Sequence, residues 1–190
     1  MANFVYLLLD EATREAIVVD SGWETEPILK VANELGAAVR FVVASHEHFD
    51  HTSTLRELAE KTGAKLIGHR DSPLECDKRV TDGEKLRVGK TKVKVLHTPG
   101  HTEDSITLYD GKHAFTGDTL FIGTIGKFDA TTSEAMYRSL YEVLCSLPDT
   151  TVIYPGHDYG DAPFRSLGEE KRSNPYLMAR DLRDFLSSFS

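Results

Sequence analysis

The segment SHEHFDH, residues 45 to 51, sets three histidines and an aspartate between an apolar run of strand length, Val39 to Ala44, and a helical stretch opening after Thr54. Composition alone would produce an HxHxDH match on the order of once in a thousand such chains. Groups held on a loop between two rigid elements are preorganised for metal binding. Four neighbours in sequence cannot all converge on one ion, so further ligands are expected downstream. HTPGHTEDS supplies His101, FTGDTLF supplies Asp118 and YPGHDYG supplies His157, each just past a strand-length run and beside glycines that permit tight loops. Neutral imidazoles with carboxylates suit zinc, iron or manganese, whereas calcium or magnesium would call for oxygen ligands.

The rest of the chain supplies the elements to hold these loops. Strand-length runs lie at Phe4 to Leu9, Ala16 to Val19, Val39 to Ala44 and Lys65 to Gly68. Two helical stretches interleave with them. One runs from about Pro27 to Leu35, with Gly36 to end it, and the other from about Leu55 to Lys61, opened by a Thr54/Glu57 capping box and closed by Gly63. The second half repeats the rhythm with runs at Glu84 to Val88, Lys92 to Leu96, Ser105 to Tyr109, Ala114 to Thr116 and Thr151 to Tyr154. A helix from about Ser133 to Leu147, with a Thr131/Glu134 capping box, stops before Pro148. A helical tail over about 168–190 gathers Leu177, Met178, Leu182, Phe185, Leu186 and Phe189 on one face, for packing on the core or for a homodimer contact. Strands in two groups with helices between them predict two packed sheets with helices outside, in one α/β domain over 1–190.

Charge and composition exclude several classes. A net charge of −8 without any long basic run argues against nucleic acid as a partner. No apolar run approaches membrane-helix length, and MANFVYLLLDEATREAIVVD lacks the marks of a signal peptide, so a cytoplasmic protein is expected. Cys76 and Cys145 belong to no CxxC and read as free thiols, while His69, His97 and His113 match no motif position and read as ordinary strand-end or surface histidines.

The order HxHxDH, then His101, Asp118 and His157, resembles the metallo-β-lactamase superfamily over residues 3 to 160 or so. The resemblance implies an αββα sandwich of two mixed β-sheets flanked by helices. It also implies two divalent metal ions, zinc or iron or manganese: His46, His48 and His101 on one, Asp50, His51 and His157 on the other, and Asp118 bridging both. Within the superfamily, NFVYLLLDEATREAIVVDSG, TPGHTEDSI, FTGDTLFIGTIGKFD and GEEKRSNPYL resemble the glyoxalase II branch, thioesterases that hydrolyse S-D-lactoylglutathione. That branch implies attack by a metal-bridging hydroxide on a small thioester, with Asp50 and Asp118 catalytic and Lys127 and Tyr159 binding the thiol carrier. The chain departs from it in two places. Asp158 to Ser190 is shorter than the helical region that completes glutathione binding there, and Ile125 stands where a cysteine is usual. A second branch, the persulfide dioxygenases, would hold a single Fe(II) on His46, His101 and Asp118, leaving positions for persulfide and dioxygen. A third reading is a metal-bearing domain that binds a partner and turns nothing over.

Overall fold

The computed structural model describes residues 2–187. Strands β1 (Tyr6–Leu9), β2 (Glu15–Val19), β3 (Ala38–Val43), β4 (Lys65–His69) and β5 (Lys78–Val80) form one sheet in that order. The other sheet is ordered β11-β10-β9-β8-β7-β6. Its strands are β6 (Lys85–Val88), β7 (Thr91–His97), β8 (Ile106–Tyr109), β9 (His113–Gly117), β10 (Val152–Pro155) and β11 (Arg165–Ser166). Both sheets are mixed. In the first, β1 pairs antiparallel with β2 and the rest run parallel; in the second, an antiparallel meander from β6 to β9 meets β10 in parallel.

Three apolar layers hold this arrangement together. Ile17, Val19, Val43 and Ile67 of the first sheet pack against Val93, Val95, Ile106 and Leu108 of the second. On the far side of the first sheet, Val18, Val42 and Leu66 pack against helices α1 (Glu26–Glu34) and α3 (Leu55–Thr62) through Ala32, Leu55 and Leu58. On the far side of the second, Ala114 and Ile153 meet Met136, Leu140 and Leu144. The chain is therefore an αββα sandwich. Strand β2 is buried on both faces, which explains its unbroken apolar run rather than an alternating one.

All nine expected strands form, with ends within two residues of those read from the apolar runs. Strands β5 and β11 and the one-turn helix α2 (Phe49–Thr52) were not legible. Neither expected capping box forms. Thr54 Oγ1 donates instead to the Ser21 carbonyl at 2.8 Å, and Glu57 accepts from Thr25 Oγ1 at 2.9 Å. Thr131 Oγ1 donates to Asp129 at 2.6 Å, while Glu134 pairs with Arg138. Gly63 does close α3, in the left-handed conformation at φ 71°. The helix after Ser133 is regular only as α4 (Ser133–Arg138), continues as a π turn over Ser139–Val143, and ends in a 3-10 turn at Leu144–Ser146. The tail divides into α5 (Leu167–Ser173), a 3-10 turn at Pro175–Leu177 and α6 (Leu182–Ser187), so its apolar residues do not share one face. Leu177 and Phe185 are buried, Met178 and Leu186 are exposed, and Phe189 lies outside the described residues. The capping box that does form opens α5, between Ser166 and Glu169.

The directions of the strands place the loops. Strands β2, β3 and β4 are mutually parallel, β9 and β10 are parallel, and two antiparallel steps return β7 to the direction of β9. The chain therefore leaves β3, β7, β9 and β10 toward the loops that begin at Ala44, Thr98, Asp118 and Gly156, each of which carries expected metal ligands.

At another join between the sheets, Asp10 after β1 ties the first sheet to the β6–β7 turn. Its Oδ2 accepts from the Thr91 hydroxyl at 2.8 Å and from the Lys90 and Thr91 amides at 3.1 Å, while Oδ1 accepts from Thr13. The Thr91 and Thr13 hydroxyls hold its carboxyl well below the ordinary value of 3.8. A depressed folded-state pKa stabilises the fold above the unfolded value, and this contribution is lost as pH falls toward the folded value. Asp10→Asn is expected to lower the unfolding midpoint at neutral pH and to flatten the acid limb of the stability curve below about pH 4. Urea unfolding at a series of pH values measures both.

Candidate metal centre

His46 and His48 follow β3, Asp50 and His51 lie in α2, His101 follows β7, Asp118 follows β9, and His157 follows β10. The structure brings all seven together. His48 Nδ1 is 3.1 Å from His46 Nε2 and 2.9 Å from His101 Nε2. His51 Nε2 is 3.1 Å from His157 Nε2 and 3.7 Å from Asp50 Oδ2, and His157 Nε2 is 3.4 Å from that same oxygen. Asp118 lies between the two groups: Oδ2 is 3.6 Å from His101 and 3.2 Å from His157, and Oδ1 is 3.3 Å from His51.

The ring nitrogens turned away from this centre fix which ones face it. His51 Nδ1 meets Asp20 Oδ2 at 3.1 Å, and His101 Nδ1 donates to the Lys127 carbonyl at 2.8 Å. Ser45 Oγ donates to Asp20 Oδ2 at 2.7 Å and so accepts from His46 Nδ1 at 3.0 Å. Each of these three rings therefore holds a proton on Nδ1 and turns Nε2 inward. Ring nitrogens crowded at about 3 Å repel unless a proton or a metal ion lies between them. Asp118 Oδ1 is also buried without a hydrogen-bond partner. The donors thus fit divalent metal: His46, His48 and His101 form one group, Asp50, His51 and His157 another, and Asp118 gathers with His46 and His51 between them.

Electrostatics agree with this reading. Burial and the neighbouring imidazoles hold His46 well below the ordinary histidine range, which leaves it neutral, as a ligand must be. Burial works the same way on His51, yet Asp20, Asp118 and Asp50 outweigh it and push its pKa up to about 9. The carboxylates around His51 therefore select positive charge there, whether carried by a proton or by a metal ion.

Sequence reading missed the residues that orient the ligands. Asp20, at the end of β2 with φ 58°, accepts from the Ser45 amide and hydroxyl, both at 2.7 Å, as well as facing His51. Asn3 Nδ2 donates to Asp50 Oδ2 at 2.9 Å and to the Asp50 carbonyl at 3.1 Å. The signal for Asp20 was a carboxylate directly after the apolar run Ala16 to Val19. Two glycines are required by close approach: a Cβ at Gly126 would overlap the Asp118 carbonyl, and one at Gly156 would overlap Asp118 Oδ1 and lie 2.9 Å from His51 Cε1. Of the two expected substrate contacts, Tyr159 stacks on His157 at 4.6 Å and is 54% exposed, and Lys127 is exposed beside His101. Among the expected ordinary histidines, His69 is buried and stacks on His97 at 4.0 Å, away from the seven donors.

Asp20→Asn keeps a residue that tolerates the left-handed backbone but turns an amide donor toward His51 Nδ1–H. Metal affinity is expected to fall about 10–100-fold with the fold intact, read by competition against a chromophoric chelator and by circular dichroism.

The family described as the metallo-beta-lactamase superfamily matches residues 2–157. The chain is 37% identical over 166 residues to the cytoplasmic hydroxyacylglutathione hydrolase of Arabidopsis thaliana, covering 83% of this chain and 64% of that protein. It is 35% identical over 183 residues to the mitochondrial persulfide dioxygenase ETHE1 of Homo sapiens, covering 92% of this chain and 71% of that one. The crystal structure of ETHE1 from Myxococcus xanthus superposes with a TM-score of 0.91 at 36% identity, covering 98% of this chain and 84% of that chain. The chain thus spans 64% to 71% of the length of these two curated relatives. A family match from β1 to the last ligand loop, on an αββα sandwich with the donors at its strand ends, means that the chain belongs to the metallo-β-lactamase superfamily.

Proposed function

We propose that the chain is a metal-dependent thioesterase of the hydroxyacylglutathione hydrolase type, acting on a small thioester in a cytoplasmic setting. The observation that carries this reading is the Asp118 carboxylate lying between two donor triplets, a geometry suited to a pair of ions. In it His46, His48 and His101 would hold one ion, Asp50, His51 and His157 the other, and Asp118 both. Zinc or iron, with manganese as a third candidate, would supply there an acidified water and a Lewis acid for the thioester carbonyl.

The chain's own groups do the rest. Asn3 pins Asp50 through its Oδ2, so that the Asp50 carboxylate accepts a hydrogen bond from the attacking water and orients it. The new C–O bond forms at the acyl carbon as the C–S bond breaks; the water's protons pass to solvent, leaving a carboxylate product, and the departing thiolate takes up a proton from solvent. Tyr159, stacked on His157, lines the mouth, and Lys127 offers an ammonium to a carboxylate of the thiol carrier. A carrier such as glutathione bears such carboxylates.

The relatives named persulfide dioxygenase favour a second reading, a single Fe(II) on His46, His101 and Asp118, and one pair of assays separates the two. The metal-loaded protein is expected to hydrolyse members of a thioester panel that includes S-D-lactoylglutathione, and to consume no oxygen with glutathione persulfide. Asp118→Asn should lower kcat/KM by more than about 100-fold. Oxygen consumption with persulfide and no turnover of any thioester would overturn the hydrolase, and turnover of neither would leave a partner-binding domain.

A further inference from the structure

A groove of about 340 Å³ runs between the outward face of the segment leading into and through β1 and helix α1, and one of its lining residues, Asn3, hydrogen-bonds Asp50. Its walls are Val5, Leu7, Trp23, Pro27, Ile28 and Val31, with Asn3 at one end and a single charged side chain, Glu24, among the lining residues. Scattered exposed apolar residues need no explanation, but here Val5, Trp23 and Val31, 40%, 48% and 45% exposed, line one depression. The alternation of the chain explains the wall: Asn3, Val5 and Leu7 share one face, while Tyr6 and Leu8 point into the space between the sheets.

The groove is joined to the reactive centre through one amide. Trp23 Nε1 donates to Asn3 Oδ1 at 3.1 Å, and the other end of the same side chain donates to Asp50 Oδ2 at 2.9 Å. Phe49, between His48 and Asp50 in sequence and 71% exposed, meets Trp23 edge-on at 6.0 Å. Trp23 in the groove wall thus meets an exposed ring that neighbours Asp50 in sequence.

We infer that this groove binds the acyl group of the substrate, and that this acyl group is a hydrocarbon chain or ring. The inference rests on the thioesterase reading and names its substrate class, a hydrocarbon acyl group in place of the hydroxyacyl group in the relatives' name. Hydrolysis at the centre places the acyl carbon beside Asp50, and the groove begins at the residue that holds Asp50. A glutathione-like carrier has carboxylates and an ammonium, which an apolar wall would strip of water without pairing; a hydrocarbon loses nothing there. The volume lies within the range of small-molecule sites.

Trp23 is the sole tryptophan of the chain, so its emission reports the groove directly. Butyrate, hexanoate and octanoate, the products of the matching thioesters, are titrated into the metal-loaded protein. Affinity is expected to rise about two- to fourfold per added methylene, with a blue shift of the Trp23 emission. Val31→Glu should remove this dependence, and Val31→Phe, which fills the groove, should shorten the longest chain accepted; either variant suffices if the other does not fold. The same length series is then run as thioesters. Rising affinity without hydrolysis of any thioester would overturn the enzyme reading while leaving the groove's preference intact. Hydrolysis with affinity and kcat/KM flat in chain length, or an unmoved Trp23 emission, would overturn the groove. So would a dimer in sedimentation velocity that Val31→Glu dissolves together with flat affinity, which would give the face to a second copy.

Discussion

Five imidazoles and two carboxylates share one rim of the sandwich, and ring nitrogens this crowded require positive charge among them, a proton or a metal ion. The rest of the architecture follows from meeting that requirement. Parallel pairing of β9 with β10 sets Asp118 beside His157, and packing of the two sheets brings them to the donors that follow β3. Their orientation is then fixed by groups outside the seven: Asp20 and Ser45 for His51 and His46, the Lys127 carbonyl for His101, Asn3 for Asp50. Close packing completes the site, since Gly126 and Gly156 let the backbone approach Asp118 where any side chain would displace it.

Much of this was legible because it is periodic or clustered. Strands buried on one or both faces announce themselves as apolar runs, and the seven donors stand in a pattern that chance rarely produces. What could not be read depends on partners distant in sequence. Lys78 and Arg79 of β5 are exposed on the edge of the sheet and only Val80 is buried, so no apolar signal marks that strand. Thr54 and Glu57 have the spacing of a capping box, but Ser21 and Thr25, brought near by the fold, take their hydrogen bonds. Asn3 and Asp20 act on ligands 47 and 31 residues away, beyond any local motif.

The same contrast separates site from substrate. The seven donors stand in a clustered pattern and carry a strong signal, whereas the surfaces that would choose a substrate are ordinary apolar or charged side chains. Trp23, Val5 and Val31 have no motif of their own; only the crevice between β1 and α1, and its link to Asp50 through Asn3, gives them meaning together. Likewise Lys127 is placed by its main chain, through the hydrogen bond to His101, while its side chain stays in solvent.

The central claim is that the seven donors form one paired-ion centre. Elemental analysis of protein purified without chelators or added metals, expressed as moles of zinc, iron and manganese per chain, tests it directly. The account predicts a total near two per chain. A total near one, carried by iron with little zinc or manganese, would contradict it.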